Sequence, residues 1–427
     1  MTSNTLAIVL AFISFVVTTT GYPRVLSYAR RHNIVDNPNA RKLQRVPVPV
    51  MGGTSIIIGI LAAAVVGFTV QLISKNWEWS LVDWRMTKVM CLLAVMYAIG
   101  FWDDVKDVSP ALRFLVELMV VWAMILMLGV EINDFHGLWG IHQIPDSVSV
   151  PLSLIAGVGI MNAVNLIDGV DGYCSSYGIM ACIVYASLFA YAGDKQMFTL
   201  ALIGIGALLP FFFHNVFGRT SKMFLGDGGS LMLGTLLALF TFTALSSESP
   251  CAKVLSGDGL SIVALCLAIL AVPVFDTLRV MIIRIANGRS PFHPDKTHLH
   301  HLYIEMGYSH LATSGIIVMT NAGIVLFLLL LWFLGVNNNW QVYLVVIAAL
   351  AYTWGFYFLM EYERRKNDGG GSQWWKYRRE RGRKSMGMTR TKGWLVVRKV
   401  VDSRFFSGKP PVEEPKDTRP KIDPRIQ

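Results

Sequence analysis

The sequence predicts an all-α, polytopic integral membrane protein of about eleven transmembrane helices, with the N-terminus outside and the C-terminus cytoplasmic. Three observations carry this. Hydrophobic residues make up 53% of the 427 residues and charged residues only 15%, against roughly 25% charged in an ordinary soluble chain. The apolar residues come in long blocks, each near the roughly 20 residues that cross a hydrocarbon core, and a single soluble core could not hide so many. The cationic residues are also sorted by side.

The blocks run about 4–21, 50–73, 86–101, 111–130, 148–163, 173–193, 197–214, 228–247, 260–283, 312–334 and 341–360, read from the length and spacing of apolar runs. The third and fifth are short or Gly-rich. The first has no basic stretch before it, so it reads as a retained span rather than a signal peptide. An odd number of spans puts the termini on opposite sides. Loops near 21–49, 102–110, 164–172, 215–227 and 284–311 hold 12 Lys and Arg, and the alternate set holds 5. Positive loops stay inside, so the first set and the C-terminal tail are expected to be cytoplasmic.

The net charge of +10 lies in the tail: residues 361–427 hold 19 Lys and Arg against 9 Asp and Glu, and residues 1–360 hold 19 of each. Beside a membrane body such a tail suits anionic lipid headgroups, and nucleic acid is not expected. Residues 369–372 read as a flexible joint. Residues 374–379 are aromatic and basic and suit the interface, as does 394–406. The Pro- and charge-rich end from Lys409 reads as disordered. The five cysteines form no CxxC and read as neither a disulfide framework nor a zinc site.

Four polar clusters all fall on the side read as cytoplasmic. Asp103-Asp104-Val105-Lys106-Asp107 follows the third span. Adjacent carboxylates repel, unless a divalent cation or cationic ligand is near; a solvated acidic loop is the plain alternative. Asn162 to Gly172 gathers Asn162, Asn165, Asp168 and Asp171 with two glycines. It is no EF-hand, because Ile179 stands where the calcium loop needs Glu. Phe224-Leu225-Gly226-Asp227-Gly228-Gly229-Ser230 opens the eighth span. Free amides at a helix start favour an anion, and Asp227 beside them suggests a bridging cation. No P-loop pattern occurs. The fourth cluster, Ser290 to His301, holds four of the nine histidines. It reads as zinc ligands or as an anion pocket to which Arg279, Arg284, Arg289 and Lys296 add charge. Carboxylates for a hard cation, helix-start amides and cationic side chains are the parts of phosphoryl transfer. The membrane setting makes one substrate a lipid.

In order, spacing and sidedness these motifs resemble the polyprenyl-phosphate N-acetylhexosamine-1-phosphate transferases, over roughly residues 5–335. His298-Leu299-His300-His301 and the preceding Ser290-Pro291-Phe292 are similar to the WecA/TagO-like branch, which uses UDP-GlcNAc. The peptidoglycan branch typically has three consecutive histidines. The resemblance implies transfer of GlcNAc-1-phosphate from UDP-GlcNAc to undecaprenyl phosphate with release of UMP, at the cytoplasmic face of a bacterial inner membrane. O-antigen of lipopolysaccharide, teichoic acid and other surface glycans begin with this lipid-linked sugar.

The resemblance also implies site roles. Asp227 is a direct Mg2+ ligand, with Mn2+ as the alternative metal, and Asn165 approaches the metal and diphosphate. Asp103 and Asp104 lie beside the metal and the lipid phosphate, and Asp168 belongs to the same acidic centre. Asn162 lies with the substrate-binding residues of the same run. Gly169, Val170 and Asp171 read uracil, Phe224 stacks on it, and Asn215 lies close by. Arg45 sits near the nucleotide and Arg113 near the diphosphate. His298, His300 and His301 hold phosphate or sugar; Arg289 is read as substrate-binding from its charge beside them, not from the resemblance. A homodimer is left open. The chain divides into a transmembrane catalytic domain, 1–360, and the basic tail, 361–427.

Two mechanisms compete: direct attack of the lipid phosphate on the β-phosphorus, and a phospho-aspartate route through Asp103 or Asp104. A phosphate monoester is mostly dianionic at pH 7, with its second pKa near ~6, and scarcely needs a base. Another UDP-HexNAc donor is the alternative within the class. A transporter would place its acids inside spans. Here they sit at span ends on one side, with Glu117 the main exception.

Overall fold

The computed structural model of the protein describes residues 3–37, 46–74, 84–255, 259–291 and 297–368. In chain order the helices are α1 (Ser3–Arg31), α2 (Gly52–Ser74), α3 (Trp84–Lys106), α4 (Pro110–Ala123), α5 (Asp146–Leu166), α6 (Tyr173–Ala192), α7 (Lys195–Phe217), α8 (Gly226–Leu245), α9 (Pro250–Leu255), α10 (Ile262–Ile269), α11 (Ala271–Ala286), α12 (Leu299–Glu305), α13 (His310–Phe333) and α14 (Asn338–Asp368). Strands β1 (Val35–Asp36) and β2 (Val48–Pro49) pair antiparallel near the start, and β3 (Asp134–Leu138) and β4 (Ile141–Gln143) form an antiparallel hairpin between α4 and α5. Among the described residues ten helices are long and apolar enough to cross a membrane, and the bent pair α10–α11 makes an eleventh when counted as one span.

α8 is the axis of the bundle. Its whole apolar window is buried, as expected of a helix that is apolar all round. It packs chiefly on α3 and α5, and also on α2, α6 and α10. Small residues allow the approach, because helices in lipid associate by close packing rather than by hydrophobic drive. At Gly100 of α3 an added Cβ would stand 2.5 Å from the carbonyl oxygen of Asp227. On the rim, Ile155, Met319 and Phe333 are exposed, as apolar side chains on the outside of a membrane bundle are expected to be.

Several elements differ from expectation. The first span, expected to end near 21, continues as helix to Arg31 and keeps Pro23 inside. Its hydroxyls bond back one turn, with Thr19 Oγ1 donating to Phe15 O at 2.7 Å and Thr20 Oγ1 to Val16 O at 2.9 Å, so the polar stretch stays helical. Beyond it Tyr22 donates to Ser221 O at 2.7 Å, docking the helix on the 218–225 loop.

The ninth block, expected as one continuous span, bends by 70° between α10 and α11. Pro273 cannot donate to Ile269 O. That carbonyl accepts instead from Tyr177 OH at 3.1 Å and from Asn321 Nδ2 at 3.0 Å. Asn321 also donates to Ala268 O at 3.1 Å and accepts from Val272 N at 2.9 Å. One buried amide from α13 thus satisfies the broken ladder, as lipid requires of any interrupted helix.

Polar residues expected in loops are helical: Asp103 and Asp104 end α3, Asn165 ends α5 one turn after Asn162, and Asp227 opens α8. α14 runs past the expected end at 360 to Asp368. The tail from 369, with its joint and basic aromatic segments, lies outside the described residues.

Candidate active site

The first turn of any helix leaves backbone N–H groups without partners. At α8 no side chain of its own caps them. The cap comes from α3: Asp104 Oδ1 accepts from Asp227 N at 2.9 Å and Oδ2 from Gly228 N at 3.1 Å. The anion at these amides is therefore a carboxylate of the chain itself. This corrects the expectation that they stand free for a phosphate. Gly100, one turn before Asp104, makes the juxtaposition feasible. Gly100→Ala is expected to push the two backbones apart, at about 1–3 kcal/mol of overpacking, and to cut turnover about 100-fold by displacing Asp227. Melting and turnover of the variant check this.

Arg113, in the first turn of α4, is the hub. Its Nε donates to Glu117 Oε1 at 3.1 Å, and its Nη2 to Asn165 Oδ1 at 2.8 Å and Asn162 Oδ1 at 3.4 Å. Its Nη1 stands 3.4 Å from Asp103 Oδ2 and 3.7 Å from Asp227 Oδ2. Asn162 and Asn165, one turn apart on α5, share a face. Asn162 Nδ2 donates to Glu117 Oε2 and to Val158 O at 3.0 Å. Asn165 Nδ2 donates to Asp227 Oδ1 at 2.5 Å and Ser230 Oγ at 2.9 Å. Asp103 Oδ1 accepts from Val108 N at 2.8 Å. Glu117, the acid inside a span, is the buried partner that orients the guanidinium.

Asp103, Glu117 and Asp227 thus face one cation, and Asp104 and Asp168 add two further carboxylates to the centre. Burial pushes the Asp168 carboxyl well above the usual carboxylate range, and the charges of Asp227 and Asp104 push it further, against a hydrogen bond from Gly226. Such an excess of negative charge suits a hard cation. Among the described residues no three His, Cys, Asp or Glu side chains form a ready-made cage. Mg2+ does not need one, since it is commonly held by one or two carboxylates together with water and substrate phosphates. Asp227, with its side chain 37% exposed, is the acid open to such an ion. Asn165 approaches that position through Asp227, which its amide holds.

The 167–172 loop is built by committed side chains. Gly172, at φ +78°, donates its N–H to Asn215 Oδ1 at 2.6 Å, and Asn215 Nδ2 donates to Met223 O at 3.0 Å. Val170 and Asn215 are both buried, so they shape this loop from within, rather than presenting side chains to a base. The Asp171 carboxylate meets Lys222 Nζ at 2.6 Å and His310 Nδ1 at 2.8 Å, while its backbone carbonyl accepts from Ser314 Oγ at 2.8 Å. Burial would raise its pKa, but the His310 hydrogen bond and the Lys222 charge outweigh it and hold it below the usual value. Lys222 Nζ also lies 5.5 Å from the Phe224 ring centroid. Phe224 is pinned by its backbone, with N donating to Pro49 O and O accepting from Gly52 N, both at 2.8 Å.

His298 begins α12, with Nδ1 3.0 Å from Asp276 Oδ2. The His298 and His300 rings lie nearly parallel at 5.7 Å, and His301 packs on His300 at 4.2 Å. Burial holds His300 well below the usual histidine value, and His301 and His298 add to this, so it is neutral at pH 7. A Cβ on Gly169 would stand 2.7 Å from His300 Nε2. The loop and the histidines therefore meet at that glycine.

The sequence profile of glycosyl transferase family 4 matches residues 86–245. A Bacillus subtilis (strain 168) protein named as a probable undecaprenyl-phosphate N-acetylglucosaminyl 1-phosphate transferase is 30% identical over 305 residues, 71% of this chain and 79% of the relative. The chain belongs to glycosyl transferase family 4. A Mycobacterium leprae decaprenyl-phosphate N-acetylglucosaminephosphotransferase is 31% identical over 298 residues, 66% of this chain and 73% of the relative. The Escherichia coli K12 undecaprenyl-phosphate alpha-N-acetylglucosaminyl 1-phosphate transferase is 28% identical over 291 residues, 66% and 72% of the two chains.

In this membrane transferase the family match carries α3 to α8, and hence Asp103, Asp104, Arg113, Asn162, Asn165, Asp168 and Asp227. Arg45 lies outside the described residues, as do His293 and Lys296. Arg289 is exposed just beyond α11, where its N–H donates to Arg284 O at 2.9 Å. Arg279 and Arg284, read as phosphate-binding cations, serve inward. Arg279 is fully buried against Asp276, and Arg284 Nη1 donates to Pro291 O at 2.5 Å. Sequence reading missed Asp276, Lys222, His310 and Ser314. Only Asp276 carried a signal: an acid three residues before Arg279 within an apolar run.

Proposed function

We propose that this transferase moves GlcNAc-1-phosphate from UDP-GlcNAc to undecaprenyl phosphate, giving undecaprenyl-diphosphate-GlcNAc and UMP, as the first membrane step of a cell-surface glycan. The observation that carries the reading is the acidic centre at the ends of α3, α5 and α8, organised by Arg113 through Asn162, Asn165 and Asp227. It lies where a lipid phosphate and a water-soluble nucleotide can meet. The names of the relatives support the donor and acceptor. The positive-inside count supports a cytoplasmic active site in a bacterial inner membrane.

Asp227, with Asp168 beside it, would hold Mg2+, which when bound neutralises the diphosphate and its developing charge. The chain's own residues position the reactants. An oxygen of the dianionic lipid phosphate bonds to the β-phosphorus, the bond from that phosphorus to the bridging oxygen breaks, and UMP leaves with that oxygen. Asp104 is engaged by two amides, and Asp103 by Val108 N and Arg113, which favours the direct route over a phospho-aspartate. Purified protein with undecaprenyl phosphate, Mg2+ and a panel of UDP-sugars tests the reading. UMP release is expected to be fastest with UDP-GlcNAc. No turnover with any UDP-HexNAc would overturn it, and exchange of UMP into UDP-GlcNAc without lipid would overturn direct attack.

Lys222 bridges Asp171 and Phe224, the residues assigned to uracil. Lys222→Ala is expected to raise KM for UDP-GlcNAc about 10-fold with kcat nearly unchanged, the mark of lost uniform binding. Initial rates at varied UDP-GlcNAc decide it.

A further inference from the structure

The region beyond residue 335 lies outside the motifs of the family, yet its helix touches the histidine segment. Asp276 and Arg279 of α11 together hold three consecutive residues there. Its carboxylate takes His298 Nδ1 at 3.0 Å and Leu299 N at 3.3 Å, and Arg279, paired to it at 2.6 Å, donates to Thr297 O at 2.6 Å. A carboxylate only accepts, so Nδ1 carries the proton and Nε2 is the remaining polar atom of the ring. His298 is 4% exposed, and its Nε2 has no hydrogen-bond partner among the described residues. Buried polar atoms are nearly always satisfied. An orphan on a residue so firmly oriented points to a partner that arrives with substrate.

Asp276 is itself braced by α14. The Arg279 guanidinium, whose Nε and Nη1 have no hydrogen-bond partner among the described residues, lies 4.8 Å from the Tyr357 ring centroid, so an aromatic face covers the cation. At the residue next to Tyr357, Tyr303 of α12 stacks on Phe356 at 4.2 Å, and the Tyr303 hydroxyl lies 3.2 Å from that of Tyr352. Leu302, Met306 and Met360 close the contact. A buried ion pair adds little net stability, which fits an orienting role better than a load on folding.

We propose that Asp276 is a positioning residue that presents His298 Nε2 to a substrate oxygen, and that Arg279 and Tyr357 hold Asp276 in place, making the C-terminal helix α14 part of the reaction site. The proposal rests on the phosphoglycosyl-transfer reading for what His298 meets, but the Asp276–His298 geometry can be read without turnover.

The test uses the full chain. In 15N-histidine spectra, with His298 assigned by subtraction of His298→Gln, the wild type is expected to show a protonated Nδ1. Asp276→Asn is expected to lose that signature, and to lower kcat about 100-fold with KM for UDP-GlcNAc changed less than about 3-fold. Tyr357→Phe, which keeps the ring, is expected to match wild type. Tyr357→Leu, which removes the ring face at the rim of the core, is expected to lower kcat about 10-fold with the same KM. A wild-type His298 protonated only at Nε2 would overturn the proposal, as would unchanged kcat in either Asp276→Asn or Tyr357→Leu. Wild-type protein that turns over no UDP-HexNAc while showing the protonated Nδ1 would instead overturn the reaction reading.

Discussion

Asp227→Asn is expected to lower UMP release at least about 1,000-fold, as loss of several kcal/mol of metal-linked charge stabilisation would. The substitution keeps the shape of the side chain and removes one charge. Asp227 is the acid of the centre whose carboxylate is most open. One oxygen is held by Asn165 at 2.5 Å, the other faces Arg113 at 3.7 Å, and the Asp103 carboxyl lies against the group. The same charge repels Asp104 and pushes up Asp168. Removing it should therefore leave the metal-free protein as stable as wild type or more so. A metal-free melt that does not fall, with turnover lost across a Mg2+ titration, separates a ligand role from damage to the fold. Near-wild-type turnover at saturating Mg2+ would contradict the assignment.

Arg113→Ala is expected to damage both stability and activity. Glu117 has a side chain only 1% exposed, and Arg113 is its one cationic neighbour in the network of α4 and α5. Removing one partner of a buried pair costs about 3–5 kcal/mol, because the other charge is left uncompensated. The asparagines lose their orienting donor at the same time, and Asp227 loses its nearest positive charge. Arg113→Lys should recover the charge but not the fork, since a single ammonium cannot reach Glu117, Asp103 and Asn165 together. It should melt between wild type and Arg113→Ala, with activity still reduced. A melt of Arg113→Ala equal to wild type would show that Glu117 is neutral or solvated.

The spans were legible because lipid imposes a length and a composition on each one. The site was legible because hydrophilic residues at membrane helix ends are few and costly, so Asp103, Asp104, Asn165 and Asp227 stood out. The bend in the ninth block was hidden, since Pro273 lies in an uninterrupted apolar run. Its broken hydrogen bonds are repaired by Asn321 and Tyr177, both distant in sequence. The cap on α8 was hidden for the same reason: Gly226 to Ser230 looks like an empty anion site until Asp104 arrives from α3, 123 residues away.

The sequence by itself determined that this is a membrane-embedded helical transferase, and it singled out Asp103, Asp104, Asn165, Asp168 and Asp227 as residues to be brought together. Hydropathy and motif spacing are local properties, and they suffice for that. Only the tertiary structure decided how those residues divide the work: Asp104 on the α8 amides, Asp227 left open, Arg113 turned toward Glu117 and two asparagines, Asp276 fastened to His298. Carboxylates and cations are interchangeable on paper. Their roles follow from which partners lie within hydrogen-bond reach and how much water remains, and both are set by long-range packing.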